Sequence, residues 1–89
     1  MTTNELKLRT KSFSLMVIDL VEKLPESISA KVVANQIVRS GTSVGANYRA
    51  VCRARSDREF VSKMNVVLEE ADETLFWIEI IIERNGLIN

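Results

Sequence analysis

The chain has no histidine, one cysteine and one proline among its 89 residues. Without histidine, the usual zinc ligand sets, a Ser-His-Asp triad and a Cys-His pair are all out of reach within the chain. The single Cys52 permits no internal disulfide. Net charge is also missing: twelve Lys and Arg are balanced by twelve Asp and Glu, so no global basic field advertises a polyanionic partner. No uninterrupted apolar run approaches a membrane span, and the N-terminal "MTTNELKLRTKSF" lacks the apolar core of a signal peptide, so a cytoplasmic protein with no membrane partner is expected. What is present is 46% hydrophobic and 27% charged residues, the profile of an ordered, helix-rich protein. Residues 1–89 are read as one small domain, near the lower limit for a self-sufficient core, so help from a partner chain is expected.

Three helices are predicted, at about 4–24, 29–54 and 57–85. In the first, Leu6, Phe13, Met16, Val17, Leu20 and Leu24 recur at helical spacing, after the cap candidates Thr2, Thr3 and Asn4. Pro25 ends it, and "PESIS" offers Ser27 or Ser29 as the next N-cap. The second carries two adjoining seams: Val33, Ile37, Ser40, Val44, Asn47 and Val51, and beside it Ala34, Val38, Gly41, Gly45, Tyr48 and Cys52. The third begins at a capping box, Ser56 with Glu59, and runs toward Gly86 with Phe60, Met64, Val67, Leu68, Ala71, Leu75, Ile78 and Ile82 as its seam. Short connections favour antiparallel neighbours, so the fold class is all-α, an up-and-down bundle.

Two of only three glycines, Gly41 and Gly45, stand four residues apart inside the second helix. Each costs about 1 kcal/mol relative to alanine there, so close approach of another backbone is the expected compensation. A phosphate-binding loop is the rival reading, but no strand precedes the glycines and no lysine follows Gly45 in the P-loop manner. If the second and third helices fold back about Arg55 and Ser56, Gly41 falls near Ala71, Gly45 near Val67, and Arg39 level with Asp72 and Glu73. Such a hairpin is about 40 Å long at 1.5 Å rise per residue. Near its end "LFWIEIIIER", containing Phe76 and Trp77, is apolar on most faces and needs more cover than three helices supply.

The stretch from Gln36 to Glu83, with "RSGTSVGANYR", then "ARS", then "EEADETLFW", closely resembles the four-helix-bundle family named after proteins encoded in intervening sequences of bacterial 23S rRNA genes. Relatives include the accessory variability determinant proteins of diversity-generating retroelements. Those are pentameric barrels that associate with a reverse transcriptase and nucleic acid. The resemblance implies three helices here of an expected four, a homo-oligomer, a pentamer, and an RNA or reverse-transcriptase complex as partner. The fourth helix is expected past Leu87, Ile88 and Asn89, or else a partner chain stands in for it.

Charge is unevenly spread. Arg39 to Lys63 holds six basic and two acidic residues, a balance of +4, whereas Met64 to Asn89 holds six acidic residues and one basic, −5. Arg49, Arg53, Arg55, Arg58 and Lys63 gather about the second turn, where they suit phosphate contacts like those implied by the retroelement relatives. The alternative is that they answer the helix dipoles. Tyr48 suits stacking on a base, but its place in the glycine seam argues for packing. Glu69, Glu70, Asp72 and Glu73 are read as partners of a cation such as Arg39 rather than as magnesium ligands or an acid–base pair. Cys52 is read as a small apolar filler, not a reactive thiol, and Asn47 as a register-setting polar residue. Gly41, Gly45, Asn47, Tyr48, Phe76 and Trp77 are thus the packing and assembly residues. No cofactor, metal or catalytic residue is expected. The leading expectation is a non-enzymatic oligomeric bundle protein that binds RNA or a ribonucleoprotein; the alternative is a structural adaptor between proteins.

Overall fold

The computed structural model describes residues 1–88; the domain bound at Asn89 lies outside the described residues. Three helices, α1 (Thr3–Glu22), α2 (Ile28–Val51) and α3 (Asp57–Glu83), are followed by a 3-10 turn at Asn85–Leu87. Among the described residues there is no strand. Each helix starts where a hydroxyl replaces a missing backbone partner. Thr2 and Glu5 form a complete capping box, with both bonds at 3.1 Å. Ser27 accepts from the Ala30 N–H and Ser56 from the Glu59 N–H, each at 3.1 Å. The reciprocal half of the box expected at Ser56 is not formed. The Glu59 carboxylate lies instead 3.7 Å from Lys63 Nζ.

The helices stop two or three residues short of their predicted C-termini. α1 ends before Pro25, which disfavours helical backbone in the residue preceding it. α3 ends at Glu83, and the chain then passes through the left-handed region at Asn85, Gly86 and Leu87 (φ 51°, 72° and 61°). Gly86 accepts this without penalty; Leu87 is held there with its side chain buried in the core.

α2 occupies the middle, packed antiparallel against α1 on one side and α3 on the other, while α1 and α3 approach each other far less. The molecule is accordingly long and thin, 48 × 20 × 17 Å. One end of the core joins Val17, Ala30, Val33, Ile37, Ile81 and Leu87; the other joins Val44, Tyr48, Val51 and Val67, and Phe13 packs against both. Ile37 is fully buried. Burial of such a side chain contributes about 1.5–3 kcal/mol, and truncation to alanine costs about 2–5 kcal/mol. Midway between α2 and α3 the core turns polar: the Thr74 hydroxyl donates to Ser40 Oγ at 2.8 Å, and both side chains are fully buried.

Three expectations are corrected by this packing. The small face of α2 meets α1, not α3. A Cβ added at Gly41 would lie 2.8 Å from a methyl of Val17, and one at Gly45 would lie 3.1 Å from the Thr10 carbonyl oxygen. The Ser14 hydroxyl donates to the Gly41 carbonyl at 3.0 Å, which fixes the level of the two helices. On α3, the buried positions are Val67, Thr74 and Ile81; Phe60, Leu68, Leu75 and Ile82 of the predicted seam are exposed. On α1, Met16 points to solvent and Val21 packs on the core in its place. The two α3 series are one residue out of phase at a seven-residue repeat, and the exposed one is the more apolar in sequence because the buried one holds Thr74, so hydrophobicity alone selects the wrong positions.

Candidate nucleic-acid interface

The five basic residues predicted to act together are divided by the fold. Arg49 on the last turn of α2 and Arg53 just past its end face a groove whose other wall is α1. Two adjoining depressions form it: one lined by Lys11, Ser14, Gly45, Ala46, Arg49 and Arg53, the other by Asn4, Lys7, Leu8, Lys11 and Arg49. Arg55 lines a separate depression with Thr3, Tyr48, Cys52 and Phe60 at the bundle end. Arg58 is exposed on the first turn of α3, and Lys63 pairs with Glu59 on its own helix. The structure therefore adds Lys7 and Lys11 to Arg49 and Arg53, and leaves Arg55, Arg58 and Lys63 outside the groove. The signal in the sequence was the four-residue interval from Lys7 to Lys11, which places both on one face of α1.

The floor of this groove exists because Gly41 and Gly45 let α1 come close. Thr10 and Ser14 turn their hydroxyls back onto their own helix, Thr10 to the Leu6 carbonyl at 2.8 Å and Ser14 to the Thr10 carbonyl at 3.1 Å. The polar groups at the helix contact are thereby satisfied internally. Among the described residues the ion pairs are Arg39–Glu70, Arg39–Glu73 and Lys63–Glu59; none involves Lys7, Lys11, Arg49 or Arg53. Like charges at the Lys7–Lys11 spacing disfavour a helix by about 0.2–0.5 kcal/mol. Four cations on one groove with no carboxylate between them form a surface that an anion would stabilise.

The acidic group behaves differently. Arg39 spans Glu70 and Glu73, at 3.1 Å to Glu70, rather than Asp72 and Glu73 as the register count predicted. The reason is helical phase: residues three apart share the face toward α2, and Asp72 and Glu69 turn outward. Hydrogen bonds from Arg39 and then from the Trp77 indole, the latter at 3.1 Å, hold the Glu73 carboxyl below its ordinary range, and the contacts with Glu73 and then Glu70 push the Arg39 guanidinium up. Among the described residues no group of three or more acidic or cysteine ligands is placed to hold a metal ion.

Tyr48 is buried in the core beside Val44 and Val51, and burial pushes its phenol up. It is thus placed for packing rather than for stacking on a base. Cys52 is half-buried against the same cluster. The Asn47 amide donates to the Ser43 carbonyl of its own helix at 2.8 Å, so the polar contact between α2 and α3 is made by Ser40 and Thr74 instead. Trp77 packs on the core, while Phe76 is half-exposed and meets it edge to face with ring centroids 5.0 Å apart.

Three long helices, a central one with a glycine-lined face and an unpaired basic groove beside it define an all-α bundle protein built for close helix packing. The family model for 23S rRNA-intervening sequence proteins matches residues 3–89, and the chain belongs to that family. It is similar to a solved protein of unknown function from the S23 ribosomal protein family of Bacteroides thetaiotaomicron VPI-5482, at 37% identity with a TM-score of 0.85. That similarity covers 100% of this chain and 79% of the other. No curated protein matches the chain. Among the described residues no helix is long and apolar enough to cross a membrane.

Proposed function

We propose that this protein is a non-enzymatic, self-associating helical-bundle protein of the cytoplasm that binds RNA, alone or within a ribonucleoprotein, through the basic groove between α1 and α2. The observation that carries the reading is that Lys7, Lys11, Arg49 and Arg53 line one groove without an ion pair among the described residues. The same chain neutralises Arg39 with two carboxylates, so carboxylates are not simply scarce. Phosphate is the commonest anion that such a cation group meets on a macromolecule, and binding to it weakens steeply with salt through counterion release.

Self-association, or cover by a fourth antiparallel helix, is supported by α3. Val61, Leu68, Leu75 and Ile82 recur every seven residues, and each is more than half exposed. A stripe with that period is the seam along which another helix packs. The pentamer implied by the family resemblance is one way to cover it. The adaptor reading, in which this stripe binds another protein and the groove binds nothing, is its competitor.

Equilibrium binding to a single-stranded RNA, to a structured RNA and to duplex DNA across a salt series separates the two. RNA binding that falls with salt and is lost when Arg49 and Arg53 become glutamine, with helicity retained, supports the proposal. Absence of binding at low salt moves the function to the adaptor.

A further inference from the structure

We infer that the groove holds a single sugar-phosphate strand by its backbone alone, without reading bases, and that Lys7 and Lys11 of α1 are binding residues equal in rank to Arg49 and Arg53. This rests on the nucleic-acid reading above and specifies its ligand and mode. Because Ser14 bonds the Gly41 carbonyl and Thr10 abuts Gly45, Lys11 stands level with Gly45, and Lys7 stands one turn further along α1. Arg53 follows just past the end of α2. Arg49 lines both depressions together with Lys11, while Lys7 lines only one of them and Arg53 only the other. The cations therefore form three rungs: Lys7, then Lys11 with Arg49, then Arg53. The four residues from Lys7 to Lys11 rise about 6 Å along α1. The rungs lie on one narrow face between two adjacent helices, which fits one strand rather than both strands of a duplex.

The floor decides the mode. Ser14, Gly45 and Ala46 are small, so a backbone can lie directly on the helices. The single Ser14 hydroxyl proton is already shared between the Thr10 and Gly41 carbonyls. No aromatic side chain lines either half of the groove, and Asn4 at its rim is the lone amide. Base recognition needs stacking platforms or amide, carboxylate and guanidinium groups aimed at base edges. Here both guanidinium groups belong to the phosphate rungs and no platform exists, so affinity follows charge and not sequence.

The test is a salt series with the intact chain and 12-nucleotide oligo(U), oligo(A) and mixed-sequence RNA, with the DNA strand of the mixed sequence and its duplex as further arms. Three phosphates neutralised give a slope of log K against log salt of about −2 for single strands, or about a twentyfold loss between about 50 and 200 mM salt. Lys7→Gln removes a whole rung and flattens the slope by about 0.7, whereas Lys11→Gln weakens binding but keeps the slope, because Arg49 beside it still serves that phosphate. Among the described residues none of the four forms an ion pair, so unchanged circular dichroism is expected of each variant. Equal affinity across the single strands, RNA and DNA alike, with these slopes bears the inference out. Tight binding that depends on sequence, that ignores both lysine changes, or that prefers duplex overturns it while leaving nucleic-acid binding standing. No binding to any arm at low salt overturns both.

Discussion

Replacing Gly41 with alanine sets two known effects against each other. In a helix interior the exchange is favourable by about 1 kcal/mol, because alanine orders more cheaply. At Gly41, however, the new methyl would sit 2.8 and 2.9 Å from the two methyls of Val17 and 3.1 Å from its Cβ. Rotating Val17 cannot clear it, since the branch point itself is in contact and a β-branched side chain has few rotamers. α1 must move off α2, and forced overpacking of this kind costs about 1–3 kcal/mol. We expect a net destabilisation of about 1 kcal/mol, which lowers Tm by about 4–8 °C in a domain of this size. Thermal unfolding followed by circular dichroism measures it. The paired variant with Val17→Ala isolates the contact: removing the valine methyls makes room, so the two changes together should cost at least about 1 kcal/mol less than their sum. A Gly41→Ala variant that melts higher than the parent, or strict additivity with Val17→Ala, would refute close approach at this position. At Gly45 the obstructing atoms are the Thr10 carbonyl oxygen and carbon at 3.1 and 3.3 Å, which cannot rotate away. Gly45→Leu should therefore lose several kcal/mol or fail to assemble.

Other perturbations address the remaining contacts. Thr74→Val removes the hydroxyl that bonds Ser40; Ser40 keeps a 3.4 Å contact to the Ile37 carbonyl, so the cost should be about 1 kcal/mol by urea unfolding, and adding Ser40→Ala should recover part of it. Glu73 has a folded pKa below its ordinary value of 4.5, so its stabilisation is complete above that value and disappears as pH falls through the lower folded value. Glu73→Gln should flatten the acid limb of a stability–pH profile, and an unaltered limb would exclude the Arg39 pair as its source. Changing Leu68 and Leu75 to glutamine should leave monomer stability within about 0.5 kcal/mol, since both are more than half exposed, but should lower the mass seen by light scattering. An unchanged mass would remove the stripe from assembly.

How far the sequence carried this picture depended on which property each residue expressed locally. Helix starts were legible at Thr2, Ser27 and Ser56 because a cap is a contact within a few residues. Most of the first α2 seam was legible too: Val33, Ile37, Ser40, Val44 and Val51 are buried at helical spacing, and Asn47 is half-buried. That Gly41 and Gly45 mark close packing followed from their cost in a helix; that the partner is α1 did not, because two adjacent seams on α2 can be assigned to two neighbours either way. Leu68, Leu75 and Ile82 misled for a related reason, as α3 carries two heptad series one residue apart and the exposed one is the more apolar. Thr74 was missed because a threonine among charged residues resembles a surface position until Ser40 is seen opposite it. Lys7 and Lys11 belong to the groove only through the level of α1 on α2, set by Ser14 and Gly41 at a separation of 27 residues.

The most direct test of the central claim is a nuclear magnetic resonance titration of the labelled chain with a 12-nucleotide single-stranded RNA at low salt. Shifts concentrated at Lys7, Lys11, Gly45, Ala46, Arg49 and Arg53 are the expected result. Shifts confined to α3, along Leu68, Leu75 and Ile82, or no shifts at all, would contradict it.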